Sequence, residues 1–507
     1  MKHKFIMTLV ISILIAGCDN SIDTNESPNI NKTQLTVLTA NVWNELKHDN
    51  NDPTDNPGGK IAYLLAIDEM RAAKADVILL QESGGTSARL AEDLDMYLWQ
   101  GSDLIPDTAI LSKYPISAVF DADEKSTTKD NRANVGVQLN VNGRNVIVWA
   151  NHLDYTHYIN YDARGGNGVT WNANPGCIQV TDSDELYRKD MKSKRPTQIQ
   201  HVIDHIKPFI PSNTLIIIGG DFNEASGLDW TSATASMFDH KGVQFNYETH
   251  KRLLDAGLTD SYREIYPDPV TYPGITWPYT NDDSWTNKQS YLQECGRALD
   301  DRDRIDFIYF NAQIEGVSLA HVAVVGPYSR EFFKPVDSND YSQLQDIHDG
   351  LYINENGQSS YTKRQWPSDH LWYKAVFILD TNENETTKPQ YFTPQFDNVE
   401  YTKEDDDIQI SFNLTNLHLW DNDINYVLEI TDRYQHATIG HYLQRQSLDK
   451  KPLATDTINI LVTADTLNHL IMKNEDLQIR YTSSARADGY HKIYAVKTIP
   501  LSVLTTL

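Results

Sequence analysis

Short apolar runs that stop at a polar side chain recur along most of this chain, and that recurrence limits the folds open to it. Residues 215–218 are apolar and are followed by Gly219, Gly220, Asp221, Phe222 and Asn223. The run 34–41 ends in Asn41, 76–81 leads into Glu82, and 145–151 leads into His152. The pair Asp369-His370 immediately precedes another apolar run, 371–378. Apolar runs of this length bounded by turn residues read as buried strands. One acidic strand end is ordinary, whereas five polar ends in one domain point to strands that converge on one polar site at a sheet edge. Taken alone, Asp221 and Asn223 also fit an Asx turn after a core strand. Gly219 and Gly220 carry no side chains, which leaves room for a bulky ligand to approach the backbone.

Helical patterns lie between these runs. Ile61, Leu64 and Leu65 share one face of a helix starting near Lys60, and Ser87–Leu94 is a second helix. Ile199, Val202, Ile203 and Ile206 share a face over 196–207, with Pro196 suited to the first turn. Further strands are expected at 108–112, 304–310 and 318–325, and Asn142-Gly143 predicts a hairpin between 135–141 and 145–151. The mixture indicates an α/β domain with helices outside a sheet core, assigned to residues 34–385. Residues 386–507 change texture to short strand-like runs without a convincing amphipathic helix. They read as an all-β sandwich accessory domain.

The chain exceeds the usual size of one domain at 507 residues. Its formal net charge of -26 opposes a stable complex with long nucleic acids, because such binding depends on Lys and Arg neutralising phosphates. Lys2, His3 and Lys4 precede an apolar run, 5–15, and then Ala16-Gly17-Cys18, a secretory signal pattern too short to span a membrane comfortably. The LIAGC ending resembles the bacterial lipoprotein signal. That resemblance implies a signal peptide over 1–18, lipid on Cys18, and an anchor on a membrane facing an extracytoplasmic space. Asp19 resembles signals that keep lipoproteins at the inner membrane in some Gram-negative bacteria, and 19–33 reads as a flexible tether. With Cys18 lipidated, Cys177 and Cys295 remain, either as a disulfide, the preferred reading in an oxidising compartment, or as two free thiols.

The segments LTVLTANVW, ADVILLQE, DTAILSKYPI, NHLDY, IIIGGDFNE, DRIDFIYF and PSDHLW occur in this order. Together they resemble the endonuclease/exonuclease/phosphatase superfamily, which includes deoxyribonuclease I, exonuclease III, neutral sphingomyelinases and inositol polyphosphate 5-phosphatases. GDFN or SDH alone is a weak motif; seven in order, over 34–380, are specific. LDWTS and YPDPVTYPGITWP look like a secreted bacterial branch of it. The resemblance implies a deoxyribonuclease I-like two-layer β-sandwich flanked by helices, with the site at one edge. It implies a phosphoester hydrolase, phosphodiesterase or phosphatase, using Mg2+, with Mn2+ or Ca2+ as alternatives. Glu82, Asn41 and Asp369 are then expected at the metal, and Arg132 at the phosphate. His370, oriented by Asp306, either stabilises the transition state as a cation or acts as base; the other candidate base is Asp221. Asn223 is expected to donate to phosphate or orient the nucleophile, and His152 to bind phosphate or protonate the leaving oxygen.

Some members carry Asp where this chain has Trp43, which puts a second metal position in doubt. Arg132 also fits a surface salt bridge. The run Arg164-Gly165-Gly166-Asn167-Gly168 lacks the Lys-Ser/Thr of a P-loop and reads as a mobile loop over the site. Tyr155, Tyr158, Tyr161 and Trp171 either stack on a base, sugar or lipid group, or pack their own loop. The alternatives to a small-phosphoester hydrolase are a nuclease, a sphingomyelinase-like phospholipid hydrolase, or a catalytically silent binding protein on the same fold.

Overall fold

The computed structural model describes residues 31–46, 60–101, 107–120, 133–279, 286, 288–327, 330–332, 351–353, 359–361, 366–382, 391–417, 426–434, 442–448, 452–483 and 492–507. Cys18 and Arg132 lie outside them. In chain order the strands up to Thr381 are β1 (Asn31–Asn41), β2 (Val77–Gln81), β3 (Tyr97–Trp99), β4 (Thr108–Ser112), β5 (Ile116–Val119), β6 (Asn134–Val141), β7 (Arg144–His152), β8 (Leu215–Asp221), β9 (Thr259–Asp260), β10 (Asp306–Phe310), β11 (Val317–Gly326), β12 (Arg330–Phe332), β13 (Leu351–Ile353), β14 (Ser359–Tyr361) and β15 (Trp372–Thr381). One sheet has the order β12-β11-β15-β1-β2-β4-β3 and the other β5-β6-β7-β8-β10-β9. β13 and β14 pair only with each other. The two large sheets pack face to face, β1 over β8 and β2 over β7 and β8.

Register explains why the polar strand ends meet. β1 runs parallel to β2, with Asn41 opposite Gln81, and β7 runs parallel to β8, with His152 opposite Asp221. β10 and β15 run antiparallel to β8 and β1, so their first residues share the edge where β8 and β1 end. Asp306 accordingly faces Asp221 across the ladder, and Asp369-His370 sit just ahead of β15.

The strands Leu215–Asp221 and Val77–Gln81 are buried throughout, as continuous apolar runs covered on both faces should be. The helix Arg195–Ile206 covers the outer face of β7 and β8, burying Ile199, Val202 and Ile206 against Ile147, Trp149, Ile216 and Ile218. Each such aliphatic side chain is worth about 1.5–3 kcal/mol relative to exposure. The two glycines of β8 do not make room for a ligand, contrary to expectation. A Cβ on Gly219 would meet Leu79 Cδ1 of the facing sheet at 2.7 Å. A Cβ on Gly220, whose φ is +144°, would meet the Asn151 carbonyl oxygen at 1.9 Å. Both are glycine so that β8 can sit close to its own neighbours.

Beyond Thr381 the strands are β16 (Gln395–Glu404), β17 (Asp407–Thr415), β18 (Tyr426–Asp432), β19 (Gln444–Leu448), β20 (Ile458–Val462), β21 (Leu477–Ser483) and β22 (Ile493–Ile499). They form two sheets, β16-β17-β20 and β19-β18-β21-β22, around a core that includes Phe412, Leu428, Ile479 and Tyr481. The sequence reading missed the helix Ala464–Lys473 in this region, whose first turn is capped by the Thr463 hydroxyl accepting from Thr466 N at 3.4 Å. It buries Leu470 fully but leaves Ile471 and Met472 exposed, so apolar residues stand on both sides of it and obscure the buried face. Among the short strand-like runs read in 386–507 is one at 437–442, and apart from its last residue it falls outside the described residues. The two parts are tied by backbone-directed bonds: Glu92 accepts from Thr498 N at 2.7 Å, Lys492 donates to the Gly101 carbonyl at 2.7 Å, and Gln100 donates to the Ile493 carbonyl at 2.9 Å.

Beneath β8 and β10, His250 is 1 % exposed, stacks on Phe222 and bonds Tyr309 Oη through Nδ1 at 2.7 Å. Burial holds its pKa down at about 3. The unfolded chain therefore binds more protons than the folded one between this value and the free-histidine range, and stability falls as pH drops through that window. Between pH 7 and pH 5 this one residue is expected to remove about 2 kcal/mol of folding free energy. Urea unfolding at both pH values checks it. His250→Gln should shrink the difference by that amount, and an unchanged difference would show that His250 is not held neutral.

Candidate active site

At the converging edge, His370 Nδ1 is hydrogen-bonded to Asp306 Oδ2 at 2.9 Å, and His370 Nε2 lies 3.7 Å from Asp221 Oδ2. All three residues are buried, and their ligand atoms lie within 4.8 Å of one another. The loop ahead of β15 is held stiffly: Ser368 Oγ donates to the Asn41 carbonyl at 2.7 Å and accepts from His370 N at 3.1 Å. Trp277 Nε1 donates to Asp369 Oδ2 at 3.2 Å. Burial alone would push the His370 imidazole toward its neutral form, but Asp306, Asp369 and Asp221 outweigh it and hold the pKa well above the usual histidine value. The surrounding carboxylates therefore favour the imidazolium form of His370.

Asp221 is the carboxylate left facing this cation. Burial raises its pKa to about 6, with Asp306 adding to the rise and His370 and His152 opposing it. Asn41 Nδ2 donates to Asp221 Oδ2 at 3.0 Å and to Glu82 Oε1 at 3.2 Å, so one amide ties the two sheets together at the edge. The Asn41 oxygen is turned to Trp43 N at 2.9 Å. Asn223, in a left-handed conformation with φ 50°, gives its backbone N–H to Asp221 Oδ1 at 2.8 Å and its side-chain amide to the Leu153 carbonyl at 3.0 Å. The backbone bond closes an Asx turn that fixes the Asp221 carboxylate.

Glu82 accepts from Asn44 N at 2.7 Å. That N–H belongs to the turn Trp43–Leu46, in which four consecutive non-glycine residues have φ between 47° and 60°. Left-handed backbone costs L-residues about 1–2 kcal/mol each, and such strain collects at functional sites. Asp369 and Glu82 repel each other: burial raises the Asp369 pKa to about 6 and Glu82 adds to the rise, with His370 opposing. Asp369 Oδ1 is buried and has no hydrogen-bond partner. Two carboxylates sharing one pocket, one of them with an orphaned oxygen, fit a hard divalent cation. Asp306 Oδ1 is likewise buried without a partner, but its other oxygen already holds His370.

His152 occupies the opposite wall. Its Nδ1 makes a short contact with Asp107, and its Nε2 lies 3.5 Å from Asp221 Oδ2. Burial lowers its pKa, but Asp107, Asp221 and Glu82 together raise it to about 10. Asp107 was not anticipated. It precedes β4 rather than ending a strand, and only the antiparallel pairing of Thr108 with Gln81 brings it to this edge.

These groups line a cleft of about 930 Å³, together with Tyr155, Trp171, Lys194 and Trp277. The wall beyond His152 is built from residues 153–190 and 288–303, an insertion between sheet strands whose two parts are joined by the Cys177–Cys295 disulfide, S–S 2.10 Å. The glycine-rich run is not the mobile loop expected of it. Arg164 is fully buried and donates to both oxygens of Asp303, at 2.6 and 3.0 Å.

The profile of the "Endonuclease/Exonuclease/phosphatase family" matches residues 38–370. An uncharacterized protein of Caenorhabditis elegans is 27% identical over 321 residues, covering 61% of this chain and 87% of that one. Among solved structures, an endonuclease/exonuclease/phosphatase from Beutenbergia cavernae is 16% identical, with 92% of this chain and 99% of that chain covered and a TM-score of 0.34. An AP endonuclease from Archaeoglobus fulgidus is 17% identical over 68% and 99% of the two chains, TM-score 0.36. Beta toxin from Staphylococcus aureus is 18% identical over 67% and 99%, TM-score 0.35.

Proposed function

The chain belongs to the Endonuclease/Exonuclease/phosphatase family, and from that premise we propose that it is a divalent-metal-dependent phosphoester hydrolase, with Mg2+ the preferred ion. The observation that carries this reading is the buried Asp306–His370–Asp221 cluster standing beside Glu82 and the orphaned oxygen of Asp369. Phosphoester hydrolysis needs charge stabilisation on the phosphoryl oxygens, a base for water and an acid for the leaving oxygen. Glu82 and Asp369 would hold the ion, which when bound supplies Lewis-acid stabilisation of the phosphoryl charge.

The remaining roles divide by protonation state. His370, kept cationic by Asp306, donates from Nε2 to a phosphoryl oxygen. Asp221 is the base: its raised pKa makes it a better proton acceptor than a free carboxylate, and Asn41 and Asn223 fix its two oxygens. His152, protonated against Asp107, gives its Nε2 proton to the leaving oxygen. Attack, stabilisation and leaving-group protonation then fall to three different side chains around one phosphorus position.

Bis-p-nitrophenyl phosphate and p-nitrophenyl phosphate test the reading. At least one should be turned over with magnesium, and excess chelator should abolish the activity until magnesium is restored. Absence of hydrolysis of both, and of DNA, RNA and phospholipid as well, would reject it.

A further inference from the structure

The four aromatic residues of the insertion divide into two kinds. Tyr158 and Tyr161 are buried, and their hydroxyls donate to Asp303 at 2.7 Å and Asp301 at 3.0 Å. They are the floor of the insertion. Tyr155 is 57% exposed, and Trp171 is partly exposed. Their rings lie 5.9 Å apart with planes inclined by 24°, and both line the cleft that holds Asp221, Asp369 and His370.

The pair is supported from below and behind. Tyr161 meets Trp171 edge-on at 5.7 Å and 87°. Trp171 has φ 57°, unusual for a bulky residue, and is held there by its N–H on the Asn167 carbonyl at 2.9 Å. The following segment is pinned by the Gly166–Ala173 bridge and the disulfide. A preorganised aromatic surface loses little entropy on binding.

We propose that Tyr155 and Trp171 form a stacking subsite for a flat aromatic ring, so that the substrates are small phosphoesters carrying one nucleobase-sized ring. The proposal rests on the hydrolase reading above. Three observations select the ring over other groups. A polyol needs a fringe of available hydrogen-bonding side chains, but among the lining residues Asp154 already accepts from Thr156 N, Thr156 Oγ1 and Lys194 N, and Gln198 Oε1 accepts from Asp154 N. An acyl chain needs an aliphatic strip, but the aliphatic side chains among the described lining residues, Ala133, Leu153 and Ile305, are all buried. A long nucleic acid needs many cations, but Lys194 is the one Lys or Arg among the described lining residues, on a chain of net charge -26. Face-on stacking needs none of these and tolerates any flat ring.

The test uses two magnesium-supported substrates with one non-aromatic leaving group, thymidine 5′-(ethyl phosphate) and methyl ethyl phosphate, followed by ethanol release, so that thymine is the one flat ring offered. Wild-type kcat/KM should favour the thymidine ester by about tenfold to a hundredfold, the range a single stacked base provides. In Trp171→Ala and Tyr155→Ala that preference should collapse toward unity, and Trp171→Phe should restore most of it. A preference that survives both alanine variants, or equal losses on both esters, overturns the subsite. Thymidine 5′-monophosphate binding by calorimetry separates the two failures. Binding weakened about tenfold or more by Trp171→Ala, with neither ester turned over, fails the hydrolase reading and supports the subsite. Glycerol 2-phosphate or phosphocholine binding as tightly as the nucleotide overturns the subsite.

Discussion

His370→Ala is expected to lower kcat on a magnesium-supported phosphodiester by about a thousandfold, with the protein still folded. The imidazolium does two things at this edge. In the proposed reaction it would donate to the phosphate, and it is the group that the buried carboxylates of Asp306, Asp221 and Asp369 face. Positioned acid–base groups contribute about a hundredfold to ten-thousandfold. Its removal also leaves Asp221, 3.7 Å away, without the nearest positive charge, so the base is pushed further toward its protonated form. His370→Gln should recover little, because an amide keeps a donor but no charge. Asp306→Asn should cost about a hundredfold, since Asp306 Oδ2 is the acceptor that fixes the ring and keeps it charged. Steady-state kinetics at saturating magnesium, beside circular dichroism, checks both variants. A loss of only a few-fold in His370→Ala with an intact spectrum would remove His370 from the chemistry.

The parts of this site that were legible in the sequence are those that end or begin a strand next to a run of apolar residues. Asn41, Glu82, His152, Asp221 and His370 are all of that kind, and strand ends are local features; Asp306 fell inside the expected strand 304–310 and was reached only through the family resemblance. What stayed hidden depends on partners far along the chain. Asp107 reaches the edge only because β4 runs antiparallel to β2. The turn Trp43–Leu46 contains no glycine to announce four residues at positive φ; the accommodating glycine is Gly84, where an added Cβ would lie 2.5 Å from Glu45 Cδ. The glycines of β8 were visible, but their purpose was not, because the facing Leu79 and the neighbouring Asn151 come from other strands. Burial also decided the aromatic question that composition left open, assigning Tyr158 and Tyr161 to packing.

Asp303→Ala is expected to cause the largest loss of stability of any single substitution in the insertion. The Asp303 carboxylate accepts from Arg164 Nη1 and Nη2, Tyr158 Oη at 2.7 Å, Asn160 Nδ2 at 2.8 Å and Trp230 Nε1 at 3.1 Å. Burial alone would raise its pKa, yet the Arg164 guanidinium more than offsets this and holds it below the usual carboxylate value. Arg164 is fully buried, so alanine at 303 leaves its cation without the carboxylate that compensates it. Breaking a buried pair on one side costs about 3–5 kcal/mol, and three neutral donors lose an acceptor at the same time, each worth about 1–3 kcal/mol if left unsatisfied. These terms share one carboxylate and do not add fully. Even the lower figure is a large share of the roughly 5–15 kcal/mol that keeps a domain folded. Arg164→Met combined with Asp303→Leu should recover the part of the loss due to the stranded charge, but not the part due to Tyr158, Asn160 and Trp230, which still lack their acceptor. Urea unfolding of the three proteins distinguishes the cases. A cost below about 1 kcal/mol for Asp303→Ala, typical of an exposed ion pair, would mean that the insertion is held by its disulfide and aromatic packing rather than by this carboxylate.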